Sequence, residues 1–305
     1  MQPKIAVFGD VLLDRYDYCE NRENPESSAP CHRVRKTIFL PGGAGNVAAN
    51  LAKLGAKVTL FGIVGQDEHG QHLVKEIIQS NIEPKILTDK TIKTIVKQRI
   101  LSAGDGRYHG RLDFGDDPSE VNQIRSLRAQ ILECITPHTP NGFDACIISD
   151  YDKGFITPEL VSHIKKMNLP VYVDPKKEIS QFQGVELIKP NRREISQMSN
   201  AQDDKDKAKD IAQKLGTNVL LTLGGGGMYF AGKTGESFHL PAHKTEVVDV
   251  TGCGDTAIAV LVYYRTIGKT LKESIELANK AAGINVQHIG CYSVSREEIE
   301  QMTNL

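Results

Sequence analysis

Asp249-Val-Thr-Gly-Cys-Gly-Asp255, continuing as Thr-Ala-Ile-Ala-Val-Leu261, carries a β-rich run (Glu246–Val250) into a helical pattern that reaches about Ile267. The glycines at 252 and 254 allow the backbone to fold tightly, so that successive N–H groups converge at the amino end of the helix. Unpaired amides and the helix dipole together attract an anion there. Asp255, beside that point, is placed to take a proton from an acceptor hydroxyl while the amides stabilise charge on a transferring phosphoryl group. The same seven residues also read as a glycine-rich helix cap in which Asp255 satisfies amides.

Outward from this stretch the chain alternates. Lys4–Gly9 reads as a buried first strand, and similar apolar runs recur at Val58–Val64, Ala145–Ser149, Val171–Asp174, Glu186–Ile188 and Val219–Leu223. Amphipathic stretches of helical period lie between them, at Ala44–Leu54, Gly70–Ser80, Glu120–Ile135 and Pro158–Met167, with a last one at Lys272–His288. Strands alternating with helices imply an α/β fold with a mostly parallel sheet, whose ligands bind beyond the carboxyl ends of the strands. Two segments break the rhythm. Asp14–Leu40 carries Pro25 and Pro30 and then alternates, and Thr91–Phe114 reads as two strands joined by a Gly104-Asp-Gly106 turn. The expectation is one domain over residues 1–305, with the ribbons at about 14–40 and 91–114 forming a small sheet over the site. A lid, an edge decoration and a dimer arm are all open readings.

Three further motifs bear on chemistry. Pro41-Gly-Gly-Ala-Gly-Asn46 leads into a helix, and its paired glycines permit close approach of a polar ligand that Asn46 can hydrogen-bond; a plain glycine turn fits as well. It is neither a Walker A loop nor a dinucleotide fingerprint. Lys189-Pro-Asn-Arg-Arg-Glu194 offers Glu194 to a hydrated Mg²⁺, or equally a capped helix start. Leu221-Thr-Leu-Gly-Gly-Gly-Gly227 is a strand followed by a loop suited to adenine and phosphate, or only a hairpin turn.

Composition narrows the rest. A formal net charge of -1 provides no basic field to recruit nucleic acid or an acidic membrane. The longest apolar runs are too short to span a bilayer, and the amino terminus enters a strand at once, so a cytoplasmic location is expected. The six cysteines show no Cys-x-x-Cys spacing, which argues against zinc or a disulfide framework.

In this order the four motifs resemble the ribokinase (PfkB) family of carbohydrate kinases, over Gly9 to about Gly290. The resemblance implies a three-layer, mostly parallel sheet with helices on both faces and a small β lid. It implies Asp255 as catalytic base and the Gly252, Cys253 and Gly254 amides as the anion hole. Asn191, Glu194, Thr222, Gly224, Gly227 and Asn279 would face ATP·Mg²⁺; Asp14, Gly42, Gly43 and Asn46 would hold the sugar. Asp249 and Thr251 fall where some members bind a monovalent cation such as K⁺. Cys253 stands where the family usually has Ala, which a backbone donor tolerates.

Within the family the chain resembles most the D-glycero-β-D-manno-heptose 7-phosphate kinases, on Gly9–Tyr16, Pro41–Ala56, Arg111-Leu-Asp113, Ser149-Asp-Tyr-Asp-Lys-Gly154 and Val173-Asp-Pro-Lys176. Asp10, Asp14 and Asp150 would accept from sugar hydroxyls. Arg99 and Arg111, with Lys153, would grip the existing phosphate. Asn24–Val34 follows the family pattern only loosely. Many such relatives carry a nucleotidyltransferase domain behind the kinase, and the expectation here is a stand-alone kinase that dimerises through its lid strands. Rival readings are the same chemistry on ribose, a ketohexose phosphate or 2-keto-3-deoxygluconate, and a non-catalytic sugar- or nucleotide-binding regulator.

Overall fold

The computed structural model describes residues 2–138 and 142–302. In chain order the elements are β1 (Lys4–Gly9), β2 (Val11–Arg22), β3 (Cys31–Gly43), α1 (Ala44–Lys53), β4 (Lys57–Gly65), α2 (Glu68–Gln79), β5 (Ile82–Asp89), β6 (Val96–Ser102) and β7 (Tyr108–Phe114). Then come α3 (Pro118–Ser126), α4 (Arg128–Ile135), β8 (Ala145–Ser149), α5 (Pro158–Lys165), β9 (Val171–Asp174), β10 (Leu187–Ile188), α6 (Arg192–Met198) and α7 (Asp204–Leu215). The chain ends through β11 (Asn218–Thr222), β12 (Met228–Ala231), β13 (Ser237–Leu240), α8 (Cys253–Thr266), α9 (Leu271–Asn285) and α10 (Arg296–Gln301).

Nine strands form the large sheet, in the order β13-β12-β11-β10-β9-β8-β1-β4-β5. Pairing is parallel from β5 through β11 and antiparallel only across β11, β12 and β13. Alternation along the strands divides the apolar side chains between two cores. Ile5 and Val7 pack with α1, α8 and α9 on one face. Ala6 and Phe8 pack with α3, α4, α5 and α7 on the other. This three-layer ribokinase-like architecture is the one expected. No helix among the described residues is long and apolar enough to cross a membrane.

The second sheet has four strands, β3-β2-β6-β7. Its β6–β7 hairpin turns where Gly104-Asp-Gly106 stands, and β2 and β3 are longer than the patterning suggested. Three expectations need correction. Glu246–Val250 forms no strand: Val248 and Asp249 donate to the Val286 carbonyl at the end of α9, and Val247, Val248 and Val250 stay exposed because no strand edge lies alongside. The helical stretch Glu120–Ile135 breaks at Leu127, where Ser126 turns its hydroxyl back onto the Gln123 carbonyl. A further short helix, α10, follows the pattern at Lys272–His288, which ends as helix at Asn285.

Candidate active site

Parallel strands end together, so the residues that follow them converge. Asp10 follows β1, Asp150 and Tyr151 follow β8, Asp174 closes β9, Lys189 follows β10 and Thr222 closes β11. These residues, with Lys176, Asn191, Glu194, Gly252, Gly254 and Asp255, line one cleft, apart from Asp10, which lies beneath it. The amino end of α8 closes it from the helical layer. Gly252 caps that helix with φ 78°, and a Cβ there would meet Asn46 Nδ2 at 2.7 Å. Both facts demand glycine.

Asp255 sits in the first turn of α8 and is 5% exposed. Its two oxygens are held from different elements: Asn46 Nδ2 on α1 donates to Oδ2 at 2.7 Å, and the Tyr151 hydroxyl donates to Oδ1 at 2.7 Å. Burial, reinforced by the negative charge of Asp174, pushes the Asp255 carboxyl up to about 6, although Tyr151, Asn46 and Lys189 pull the other way. A carboxylate near 6 is ionised at neutral pH yet basic enough to take a proton. Burial likewise drives the Tyr151 phenol well above its usual range, so it donates to Asp255 and does not ionise. Lys189, wholly buried, pairs with Asp174 at 3.0 Å. Burial opposes its charge, but Asp174 and Glu194 outweigh that and hold it above the ordinary lysine value. A fixed cation thus lies beside the anion-binding end of α8, close to Gly254.

The Lys189–Glu194 stretch is a capped helix start: Asn191 Oδ1 accepts from the Glu194 amide, and Glu194 Oε2 accepts from the Asn191 amide, each at 2.9 Å. Glu194 Oε1 accepts from Lys176 at 2.9 Å and faces the cleft. The capping and cleft-lining readings therefore coexist. Among the described residues no three acidic, His or Cys side chains gather as a metal-ligand set. Glu194, with one oxygen turned to the cleft, suits Mg²⁺, which keeps its waters and takes other oxygens from phosphates.

The remaining expected residues are more dispersed. Gly42 and Gly43 join β3 to α1, and a Cβ on Gly42 would collide with Asp14 Oδ2. Asp14 forms a buried ion pair with Arg99, and the Cys291 thiol lies 3.3 Å from Asp14 Oδ2. Arg111 pairs with Asp113 at 2.8 Å and Lys153 with Asp116 at 2.8 Å. Asp10 is turned away from the substrate role expected of it. Its oxygens accept from the backbone amides of Tyr151, Lys153 and Phe155, so it shapes the loop that carries Tyr151. Burial also pushes the Asp150 carboxyl up, with Asp10 adding to the effect. Gly224 and Gly227 form the turn between β11 and β12, set back from the cleft lining. Asn279 on α9 donates to the Pro241 carbonyl at 2.8 Å. Asp249 accepts from Thr251 and from the Gly290 amide, which ties the loop before α8 to the turn after α9. The Cys253 thiol donates to Asn285 Oδ1 at 2.9 Å; burial pushes it up to about 12, which makes it a poor nucleophile.

Tyr151, Asp174 and Lys189 were not singled out as site residues from sequence. The available signal was position: each closes or follows a parallel strand.

A fixed carboxylate at a glycine-built helix start, a buried lysine beside it and a cleft across the strand ends define a phosphoryl-transfer class of site. The family model described as pfkB family carbohydrate kinase matches residues 2–298, and the chain belongs to that family. The class is that of carbohydrate kinases. The chain is 36% identical over 308 residues to the bifunctional protein HldE of Haemophilus influenzae (strain PittEE), covering 98% of this chain and 63% of that protein. It is 33% identical over 309 residues to the bifunctional protein HldE of a Nitratiruptor species, covering 99% and 65%. It therefore spans less than two thirds of the length of these relatives. Among solved structures, ribokinase of Arabidopsis thaliana complexed with ribose and ATP aligns with TM-score 0.73 at 20% identity, covering 100% of both chains. Phosphofructokinase-2 of Escherichia coli in complex with potassium aligns with TM-score 0.77 at 20% identity, covering 100% of this chain and 99% of the other. At such identity these two speak for the fold.

Proposed function

We propose that this chain transfers the γ-phosphoryl group of ATP to the anomeric hydroxyl of D-glycero-β-D-manno-heptose 7-phosphate, giving the 1,7-bisphosphate. The observation that carries the kinase chemistry is the Asp255 carboxylate, fixed by Asn46 and Tyr151 at the start of α8. In this reading Asp255 takes the hydroxyl proton and the Gly252, Cys253 and Gly254 amides, with Lys189, hold the charge of the transferring group. Asn191, Glu194, Thr222, Gly224, Gly227 and Asn279 would face the nucleotide. Mg²⁺, when bound, would neutralise phosphate charge, with Glu194 as its protein carboxylate. Asp249 and Thr251 would frame K⁺ through backbone oxygens. The small sheet serves as a lid that excludes water.

The heptose assignment rests on the resemblance of Gly9–Tyr16, Ser149–Gly154 and Val173–Lys176 to heptose 7-phosphate kinases, and agrees with the likeness to HldE proteins. It places the chain, a cytoplasmic enzyme in this reading, in the supply of activated heptose for a cell-envelope glycan. A coupled ADP-release assay on that heptose phosphate, ribose, fructose 6-phosphate and 2-keto-3-deoxygluconate, run in K⁺ and in Na⁺, tests it. Highest kcat/KM on the heptose phosphate is expected, with faster turnover in K⁺. Preference for an unphosphorylated sugar removes the assignment and leaves the kinase chemistry.

A further inference from the structure

Three cations of the small sheet and a fourth from the loop after β8 meet at one face. Register sets Lys97 of β6 opposite Asp14 of β2 and Asp113 of β7, and Arg99 opposite Tyr16 and Arg111. Side chains two apart on a strand share a face, so all six belong together. Lys153 approaches from the loop after β8.

Three of the four cations are committed. Arg99 is held by Asp14, Arg111 by Asp113 and Lys153 by Asp116. Lys97 differs: among the described residues its ammonium has no hydrogen-bond or ion-pair partner, and it lies over the Tyr151 ring, 5.4 Å from the centroid. The hydroxyl of that same ring donates to Asp255. One tyrosine side chain therefore separates an uncommitted, half-buried cation from the candidate base. Burial first, and then the like charges of Arg99, Arg111 and Lys153, lower the Lys97 pKa, with Asp14 opposing. Four cations meet three paired carboxylates at this face, and Lys97 is the one left without an ion-pair partner among the described residues.

We propose that Lys97 is the specificity residue that binds a phosphate monoester already carried by the sugar, at the end of the substrate remote from the attacking hydroxyl. Arg99 and Arg111, spent on Asp14 and Asp113, shape and charge the pocket around it. The inference rests on the reading of the substrate as a sugar phosphate. It replaces the arginines as the principal phosphate contact, because an ammonium without a partner gains a full charge-assisted bond where a paired guanidinium must first give one up.

The test uses the full chain as wild type, Lys97→Met and Lys97→Arg, each assayed by ADP release on heptose 7-phosphate and on heptose without phosphate. Lys97→Met is expected to lower kcat/KM on the phosphorylated sugar at least about 30-fold, mainly through KM, the scale of one charge-assisted contact. That loss should exceed the loss on the unphosphorylated sugar about tenfold or more, and Lys97→Arg should recover most of it. Equal losses on both sugars, or an unchanged KM, overturn the Lys97 assignment while leaving the substrate reading in place. A wild type that favours the unphosphorylated sugar overturns both. If Lys97→Met melts well below wild type, the same ratio measured on Lys97→Gln decides.

Discussion

At the residue scale the chemistry turns on how Asp255 is held. Both oxygens are satisfied by donors, yet burial and Asp174 keep the carboxyl near 6. The sign follows: the base works ionised, so activity is lost as pH falls through that value. The pH profile of kcat/KM for the sugar should show an acid limb near 6 in the free enzyme. Asp255→Asn should lower kcat at least about a hundredfold, the usual scale for a general base, with little change in melting temperature. Near-normal turnover would take Asp255 out of the role. Tyr151 is a positioning residue, acting through Asp255. Its hydrogen bond stabilises the ionised form, so Tyr151→Phe should move the acid limb to higher pH as well as lowering kcat. A reduced kcat on an unmoved limb would make Tyr151 merely structural.

At the element scale, two helix starts face each other across the strand ends. α8 starts at Gly252 with no side-chain cap, although its Cys253 amide already donates to the Val250 carbonyl at 3.4 Å, whereas at α6 the Asn191 and Glu194 amides are taken by the capping box. Glu194 serves its cap with one oxygen and the cleft with the other, and Glu194→Gln keeps an acceptor for the cap while removing the charge. Catalysis should fall most at low Mg²⁺ and recover in part at high Mg²⁺. A loss equal at every Mg²⁺ concentration would mean that the cap is the whole role. The small sheet illustrates a second element rule. One face carries the charges around Lys97, and the opposite face gathers Gln98 of β6 and Arg15 of β2 around the buried Asp17 carboxylate.

For the whole molecule, the four-stranded sheet ends in β7, an edge strand with Leu112 48% and Phe114 47% exposed. Exposed apolar side chains on an open edge favour pairing with a second copy. Light scattering at micromolar concentration should therefore return the mass of a dimer, and Leu112→Lys with Phe114→Lys should shift it to that of a monomer. A wild-type monomer at that concentration would reject the lid as a dimer arm.

Much of this was legible in the chain itself. The strands Lys4–Gly9, Ala145–Ser149 and Val171–Asp174 stand where apolar runs of that length must be buried on both faces, and the glycines around Asp255 announce a tight turn into a helix. These are local properties, fixed by side-chain type, spacing and backbone freedom. Which charges remain free was not local. Asp10, Arg99, Arg111 and Lys153 all looked like substrate ligands, and Lys97 did not stand out among them. Only the pairing of β2 and β6 determines that Arg99 is neutralised by Asp14, whereas Arg111 meets Asp113 two residues along its own strand. The loop after β8 spends Asp10 on backbone amides and lays Tyr151 between Lys97 and Asp255. A charge's role depends on partners distant in sequence, because desolvation and pairing, more than residue type, decide what it can still bind.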